Sequence, residues 1–180
     1  MKTSSLRKAI VPVAGYGTRF LPVTKAIPKE MLPVVDKPVV QYVVEQLAEA
    51  RIETIIFITG WHKRAVEDHF DRHLELEQKL KEAGKIEVLK QIQKISELAN
   101  FVFIRQKEPR GNGDAILTAE PVIEEEPFVV MWGDEIIEAK PPVLEQLKFW
   151  FKKLRSSVLT VLPRKDKEAG FRYAFVRGKD

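Results

Sequence analysis

Short apolar runs recur along this chain, separated by stretches in which apolar positions follow helical spacing. Residues 8–14, 54–59, 101–105 and 128–132 are apolar along most of their length, the composition of strands covered on both faces of a sheet. Residues 157–162 and 171–176 are predicted to add two more strands. The last alternates apolar and polar positions, which suits an edge or antiparallel strand. Between the strands, Val40, Val43, Val44 and Leu47 fall at i, i+3, i+4 and i+7, the stripe of an amphipathic helix. Asp36 is placed to cap that helix and Pro38 to occupy its first turn. Leu144, Leu147, Phe151 and Leu154 mark another helix after Pro141 and Pro142. Residues 73–99 are richer in charge, and Gly84 divides them into two short helical patterns. They read as a surface excursion between the second and third strands. Strands alternating with helices in this way predict an α/β domain with a mostly parallel central sheet.

Composition narrows the classes. A chain of 180 residues suits one domain around a single core, so residues 1–180 are expected to form one unit. With 44% hydrophobic and 31% charged residues, it has enough apolar surface to fold. Cysteine is absent, which excludes a disulfide framework, a thiolate nucleophile and a cysteine zinc site, and fits a cytoplasmic protein. No apolar run approaches the roughly 18 residues that cross a bilayer. The stretch from Lys2 to Ala14 imitates the basic and apolar regions of a signal peptide. Pro12 breaks it, however, and Gly15 and Gly17 follow at once, so it reads as a buried first strand. The net charge is +4, but lysines and glutamates alternate, without a basic tract or aromatic–basic interleaving. That balance fits a pocket for a small polyanion better than a nucleic-acid surface.

The first strand runs directly into Gly15-Tyr16-Gly17-Thr18-Arg19. Glycines there let the backbone turn sharply and bring its N–H groups up to an anion. Neither common phosphate template fits. Phe20 stands where the dinucleotide fingerprint needs a third glycine, and no Gly-Lys-Ser/Thr ending follows. Arg19, Lys25 and Lys29 then lie within one proline-bounded loop, beyond a strand end where open α/β sheets bind ligands. An arginine fork and a movable ammonium are both suited to phosphate oxygens. A solvated basic loop held by prolines explains the same residues equally well.

The longer string resolves this. Gly15-x-Gly17-Thr18-Arg19-Phe20-Leu21-Pro22-x-Thr24-Lys25-x-Ile27-Pro28-Lys29-Glu30-Met31-Leu32-Pro33 resembles the signature of bacterial UTP–glucose-1-phosphate uridylyltransferases, within the sugar-1-phosphate nucleotidyltransferases. Val35-Asp36-Lys37-Pro38, Gln41-Tyr42, Thr59-Gly60, residues 63–71, residues 105–109 and Gly133-Asp134 continue the likeness. The resemblance implies a Rossmann-like three-layer fold and transfer of a nucleotidyl group from UTP to glucose 1-phosphate. It implies that Arg19 and Lys29 cradle the triphosphate, with backbone contacts from Ala14, Gly15, Gly17 and Thr18. The role of Lys25 stays open.

Gln106 ends the third predicted strand. Its amide holds the donor and acceptor that the O4 and N3–H edge of uracil requires, although periodicity alone would make it a polar strand end. By the resemblance it contacts the uracil, helped by backbone at Gly111. The loop Gly111-Asn112-Gly113-Asp114-Ala115 departs from the family's Gly-x-Gly-His-Ala, so Asp114 stands in place of a histidine. A carboxylate there opposes bound phosphates unless it points away. Asp134 follows the apolar run 128–132 and could cap a turn or bind Mg²⁺, which takes few protein carboxylates and keeps phosphate oxygens and waters. By the resemblance it is a catalytic magnesium ligand, and Glu135 is a modest departure. His69 and His73 share a metal-ligand spacing but read as a surface helix.

These likenesses carry an in-line attack by the sugar phosphate on the α-phosphorus of UTP. Charge neutralisation by Arg19, Lys29 and a Mg²⁺ held by Asp134 would drive it, with no general base. Members of the family run well beyond 180 residues, so the sugar-binding portion is expected to be largely missing. Ala174, in Tyr173-Ala174-Phe175, replaces a glycine beside it. A nucleotide-binding module without turnover and a related transferase using dTTP or another sugar phosphate are the alternatives. An incomplete sheet edge would favour a homo-oligomer.

Overall fold

The computed structural model describes residues 6–161 and Val176. Its main sheet has four parallel strands in the order β5-β4-β1-β6, where β1 is Lys8–Pro12, β4 Thr54–Thr59, β5 Asn100–Arg105 and β6 Phe128–Val130. Two short antiparallel strands, β2 (Pro33–Val34) and β3 (Lys37–Pro38), form a separate hairpin. The four apolar runs are the four strands of the sheet. Single backbone bonds prolong the pairing beyond the regular ladders: Val13 N–H to the Ile58 carbonyl at 2.9 Å, Gln106 to Thr59 at 2.9 Å and Met131 to Ile10 at 3.1 Å. The expected strands 8–14 and 128–132 therefore shorten in regular structure, while the chain stays tied to its neighbour for a further step.

Both faces of the sheet are covered. Side chains alternate between faces along a strand, and here each face has its own helices. Ile10, Ile56 and Ile58 pack with Ala115, Ala119 and Ile123, which belong to or flank α5 (Asn112–Leu117) and α6 (Glu120–Ile123). On the opposite face, Phe57 stacks with Phe101, Phe103 and Phe70, the last from α2 (Arg64–Phe70). This is the three-layer α/β arrangement. Strands β1 and β4 are central and bury their apolar residues, whereas the edge strand β5 is only half-buried at positions 101–104.

Helix α1 (Val39–Glu49) buries the anticipated stripe of Val40, Val43, Val44 and Leu47. Its start differs from expectation. Pro38 is the cap residue in extended conformation, with no side-chain cap. Asp36 instead sits with Val35 in the two-residue turn joining β2 to β3, one strand too early to reach the helix. The charged excursion forms α3 (Leu74–Glu82) and α4 (Ile86–Ser96), and Gly84 between them adopts φ 69°. Residues 157–161 are not a strand: no partner among the described residues supplies the ladder bonds that would hold them extended, and Leu159 and Val161 are exposed. The anticipated strand 171–176 lies outside the described residues except for Val176.

The chain divides into two compact units, Met1–Ile137 and Glu138–Asp180. In the second, α7 (Val143–Leu154) follows the two prolines, and Val143 and Leu144 are buried. Among the described residues no helix is long and apolar enough to cross a membrane.

Candidate active site

Because all four main strands are parallel, their C-terminal ends share one edge. Chain order places β4 and then β5 successively to one side of β1, and β6 returns to the other side. The crevice outside the ends of β1 and β6 is therefore the switch point of the sheet, the usual ligand position in open α/β folds. The loop after β1 carries the two glycines, and the loop after β6 carries Asp134.

The glycine loop is shaped by contacts that exclude side chains. Gly17 adopts φ 66°, and a Cβ there would come within 3.1 Å of the Lys29 Cβ and 3.2 Å of the Thr24 methyl. Thr24 Oγ1 donates to the Gly17 carbonyl at 2.8 Å. Three single 3-10 turns follow, Thr18–Phe20, Val23–Lys25 and Lys29–Met31. The last brings Lys29 back so that its Nζ lies 3.8 Å from where a Gly15 Cβ would stand. The same ammonium donates to Asp134 Oδ2 at 2.6 Å. Lys29, Asp134, Gly15 and Gly17 thus converge. Arg19 and Lys25 are exposed and make no ion pair among the described residues.

Under this surface lies a pair that sequence reasoning missed. Lys63 Nζ donates to Glu30 Oε2 at 2.6 Å, and both side chains are almost wholly buried, at 0% and 1% exposure. Burial pushes the Glu30 carboxyl up and the Lys63 amine down, each opposed by the charge of its partner. Glu30 belongs to the Lys29 turn, and Lys63 caps α2, so the pair pins the lysine loop to the start of that helix. Thirty-three residues separate the partners, and no local pattern announces such a pairing. His62, beside Lys63, stacks on Tyr16 of the glycine loop with ring centroids 5.3 Å apart. Burial and the Lys63 charge lower its pKa.

Asp134 is held close to β1 by Gly133, where an added Cβ would fall 2.5 Å from the buried Val13 Cγ1. Glu135 lies next to it. Burial, followed by the Asp134 charge, raises the Glu135 pKa. Two adjacent carboxylates suit a divalent cation that arrives with a phosphate ligand, since Mg²⁺ takes only one or two protein carboxylates in such sites.

Gln106 is buried at the end of β5. Two strand spacings of about 4.8 Å put that end roughly 10 Å from β1 along the same edge, the scale that separates the base of a nucleotide from its phosphates. Its Nε2 donates to Asp114 Oδ2 at 2.6 Å. The unexpected carboxylate therefore faces an amide. Gly111, with φ 109°, opens the helix that carries Asp114. His69 Nε2 lies 3.0 Å from Gln41 Oε1, while His73 Nδ1 accepts from the Leu76 N–H at 3.2 Å. The two histidines thus serve different contacts, on α2 and at the start of α3.

Comparison with known proteins agrees with this architecture. The family profile described as Nucleotidyl transferase matches residues 8–176. A UTP–glucose-1-phosphate uridylyltransferase of Bacillus subtilis (strain 168) is 54% identical over 156 residues, which are 87% of this chain and 53% of that protein. A second from the same organism, the uridylyltransferase YngB, is 59% identical over 142 residues, 79% of this chain and 48% of that protein. A solved UTP-bound UGPase from Acinetobacter baumannii superposes with a TM-score of 0.80 at 39% identity, covering 84% of this chain and 54% of its own. The chain thus spans about half the length of the curated relatives it matches. With the profile matched from β1 to Val176 and the shared fold organised around one switch point, this chain belongs to the nucleotidyl transferase family.

Proposed function

We propose that this chain is the nucleotide-binding portion of a single nucleotidyltransferase domain that transfers a uridylyl group from UTP to glucose 1-phosphate, yielding UDP-glucose and pyrophosphate. The observation that carries the reading is the position of Lys29, whose ammonium stands between the glycine loop and Asp134. A cation with a movable stem can exchange a carboxylate oxygen for a phosphate oxygen without rebuilding the site. The relatives named above, one of them UTP-bound, support the choice of nucleotide and sugar.

In this reading the backbone of Ala14, Gly15, Gly17 and Thr18 approaches the triphosphate, which the missing side chains of the glycines allow. Arg19 adds a planar fork from the exposed turn. Lys29 moves from Asp134 to a phosphate oxygen and neutralises charge on the transferring group. Asp134, released by that exchange, would hold Mg²⁺, with Glu135 adjacent. When bound, the cation would supply charge withdrawal from the leaving pyrophosphate. Gln106 and Gly111 hold the uracil, which fixes the α-phosphorus in line with the incoming sugar phosphate. That nucleophile is already anionic, so no protein base is needed. A cytoplasmic setting, where UTP is made and used, belongs to the same proposal, as does self-association of the chain.

A coupled pyrophosphate-release assay with UTP, Mg²⁺ and glucose 1-phosphate tests it. Lys29→Ala is expected to lower turnover by about 10²–10³-fold, the usual effect of removing one stabilising group from a charged transition state. Release no greater than that of Lys29→Ala, in a chain that still binds UTP, would mean binding without turnover. Equal competition by dTTP at the same site would widen the substrate to thymidylyl transfer.

A further inference from the structure

We propose that Asp114 is a positioning residue that locks the Gln106 amide in one orientation and so makes the base site selective for pyrimidines carrying a ring N–H. The inference rests on Gln106 as the base contact.

A side-chain amide can present either end, because rotation by half a turn exchanges its oxygen and nitrogen. A glutamine without a fixed neighbour therefore fits a base with a donor or one with an acceptor at N3. Here the neighbour is a carboxylate, which when ionised can only accept. The amino end of Gln106 must point at Asp114, and it does, at 2.6 Å. Such charge-assisted contacts are about twice as strong as neutral ones.

Both partners sit on fixed backbone. The Gln106 N–H donates to the Thr59 carbonyl at 2.9 Å, in continuation of the β4–β5 ladder. Asp114 lies in α5, whose Ala115 is buried in the sheet core. The Asp114 carbonyl accepts from both the backbone and the hydroxyl of Thr118, at 2.9 and 2.8 Å. With one amino hydrogen claimed by Asp114, the amide offers a ligand its carbonyl oxygen and its second amino hydrogen. Uracil and thymine match that pair with N3–H and O4. Cytosine places an unprotonated N3 against the carbonyl oxygen and leaves two acceptors facing each other. A residue that would otherwise oppose phosphates thereby acts at the far end of the nucleotide.

Calorimetric titration of the full chain with UTP and with CTP, each with Mg²⁺, measures the discrimination directly. The wild type is expected to prefer UTP by about 100-fold, on the order of the loss when a buried acceptor meets an acceptor. Asp114→Asn keeps the shape but can donate as well as accept, so the paired amides can turn together. The UTP/CTP ratio should fall about 10-fold, chiefly through tighter CTP binding, a change that general loosening of the fold would not produce. Asp114→Ala, truncated at a half-buried position, should lower the ratio similarly, and thermal melting shows that each variant is folded. A ratio unchanged in both variants but collapsed in Gln106→Ala overturns the proposal and leaves the base contact intact. A ratio unchanged in Gln106→Ala as well overturns the base contact and this inference with it.

Discussion

Lys63 and Glu30 tie the Lys29 turn to the start of α2. Their ion pair is buried, so neither charge has water to fall back on. Removing one partner strands the other, which costs about 3–5 kcal/mol, whereas replacing both with apolar groups of similar volume is often nearly neutral. Lys63→Met is expected to show that full loss in urea unfolding, and Glu30→Leu combined with Lys63→Met to recover much of it. Additive single effects would show that the pair is not coupled. A steric case is Gly133, where an added methyl meets Val13 at 2.5 Å. Val13 is buried and its branched side chain is stiff, so it cannot swing away. Gly133→Ala should destabilise the chain by about 1–3 kcal/mol, as overpacking of a filled site does. Because Asp134 is the next residue, UTP affinity should fall as well, and a melting scan with and without UTP separates the two effects.

At the scale of elements, the helical excursion has its own polar lock. Arg72, in the link before α3, donates to Glu77 of α3, and Gln93 of α4 donates to the same carboxylate at 2.7 Å. The Arg72 hydrogen bonds, followed by that of Gln93, hold the Glu77 pKa down to about 2. A carboxyl whose pKa is lower folded than unfolded stabilises the fold above its unfolded value. That stabilisation diminishes as the pH falls below about 4.5 and is gone near 2. Arg72→Ala should therefore flatten the dependence of urea stability on pH between those values. An unaltered slope would show that Glu77 is not held by Arg72. Helical periodicity located α3 and α4, yet the polar partners of this lock come from three separate segments, which period alone cannot join.

For the whole molecule, the consequence of the proposed phosphate site is linkage between ligand and fold. A ligand that binds only the folded chain adds about 2.7 kcal/mol at one hundred times its dissociation constant. Saturating UTP with Mg²⁺ should raise the thermal midpoint accordingly. Lys29→Ala, which removes the ammonium paired with Asp134, should abolish most of the shift while changing the ligand-free stability by no more than about 1 kcal/mol, since a partly exposed pair contributes little. A shift of equal size in both proteins would place the nucleotide elsewhere.

By itself, the sequence determined the alternation of strands and helices, since burial on both faces demands continuous apolar runs and burial on one face of a helix demands a 3.6-residue period. It also determined the glycine loop, because Gly17 stands where a side chain would crowd Lys29 and Thr24, and the family resemblance, because the run from Gly15 to Pro33 is contiguous. Only the tertiary structure decided what meets at the sheet edge. Lys29 and Asp134 are separated by 105 residues, and Lys63 and Glu30 by 33; parallel strands gather such loops without leaving a local trace. The same holds for Asp114. In sequence it was a charge set against phosphates, and packing of α5 on the sheet turned it toward Gln106. Direction in space, unlike residue type and spacing, is set by the fold.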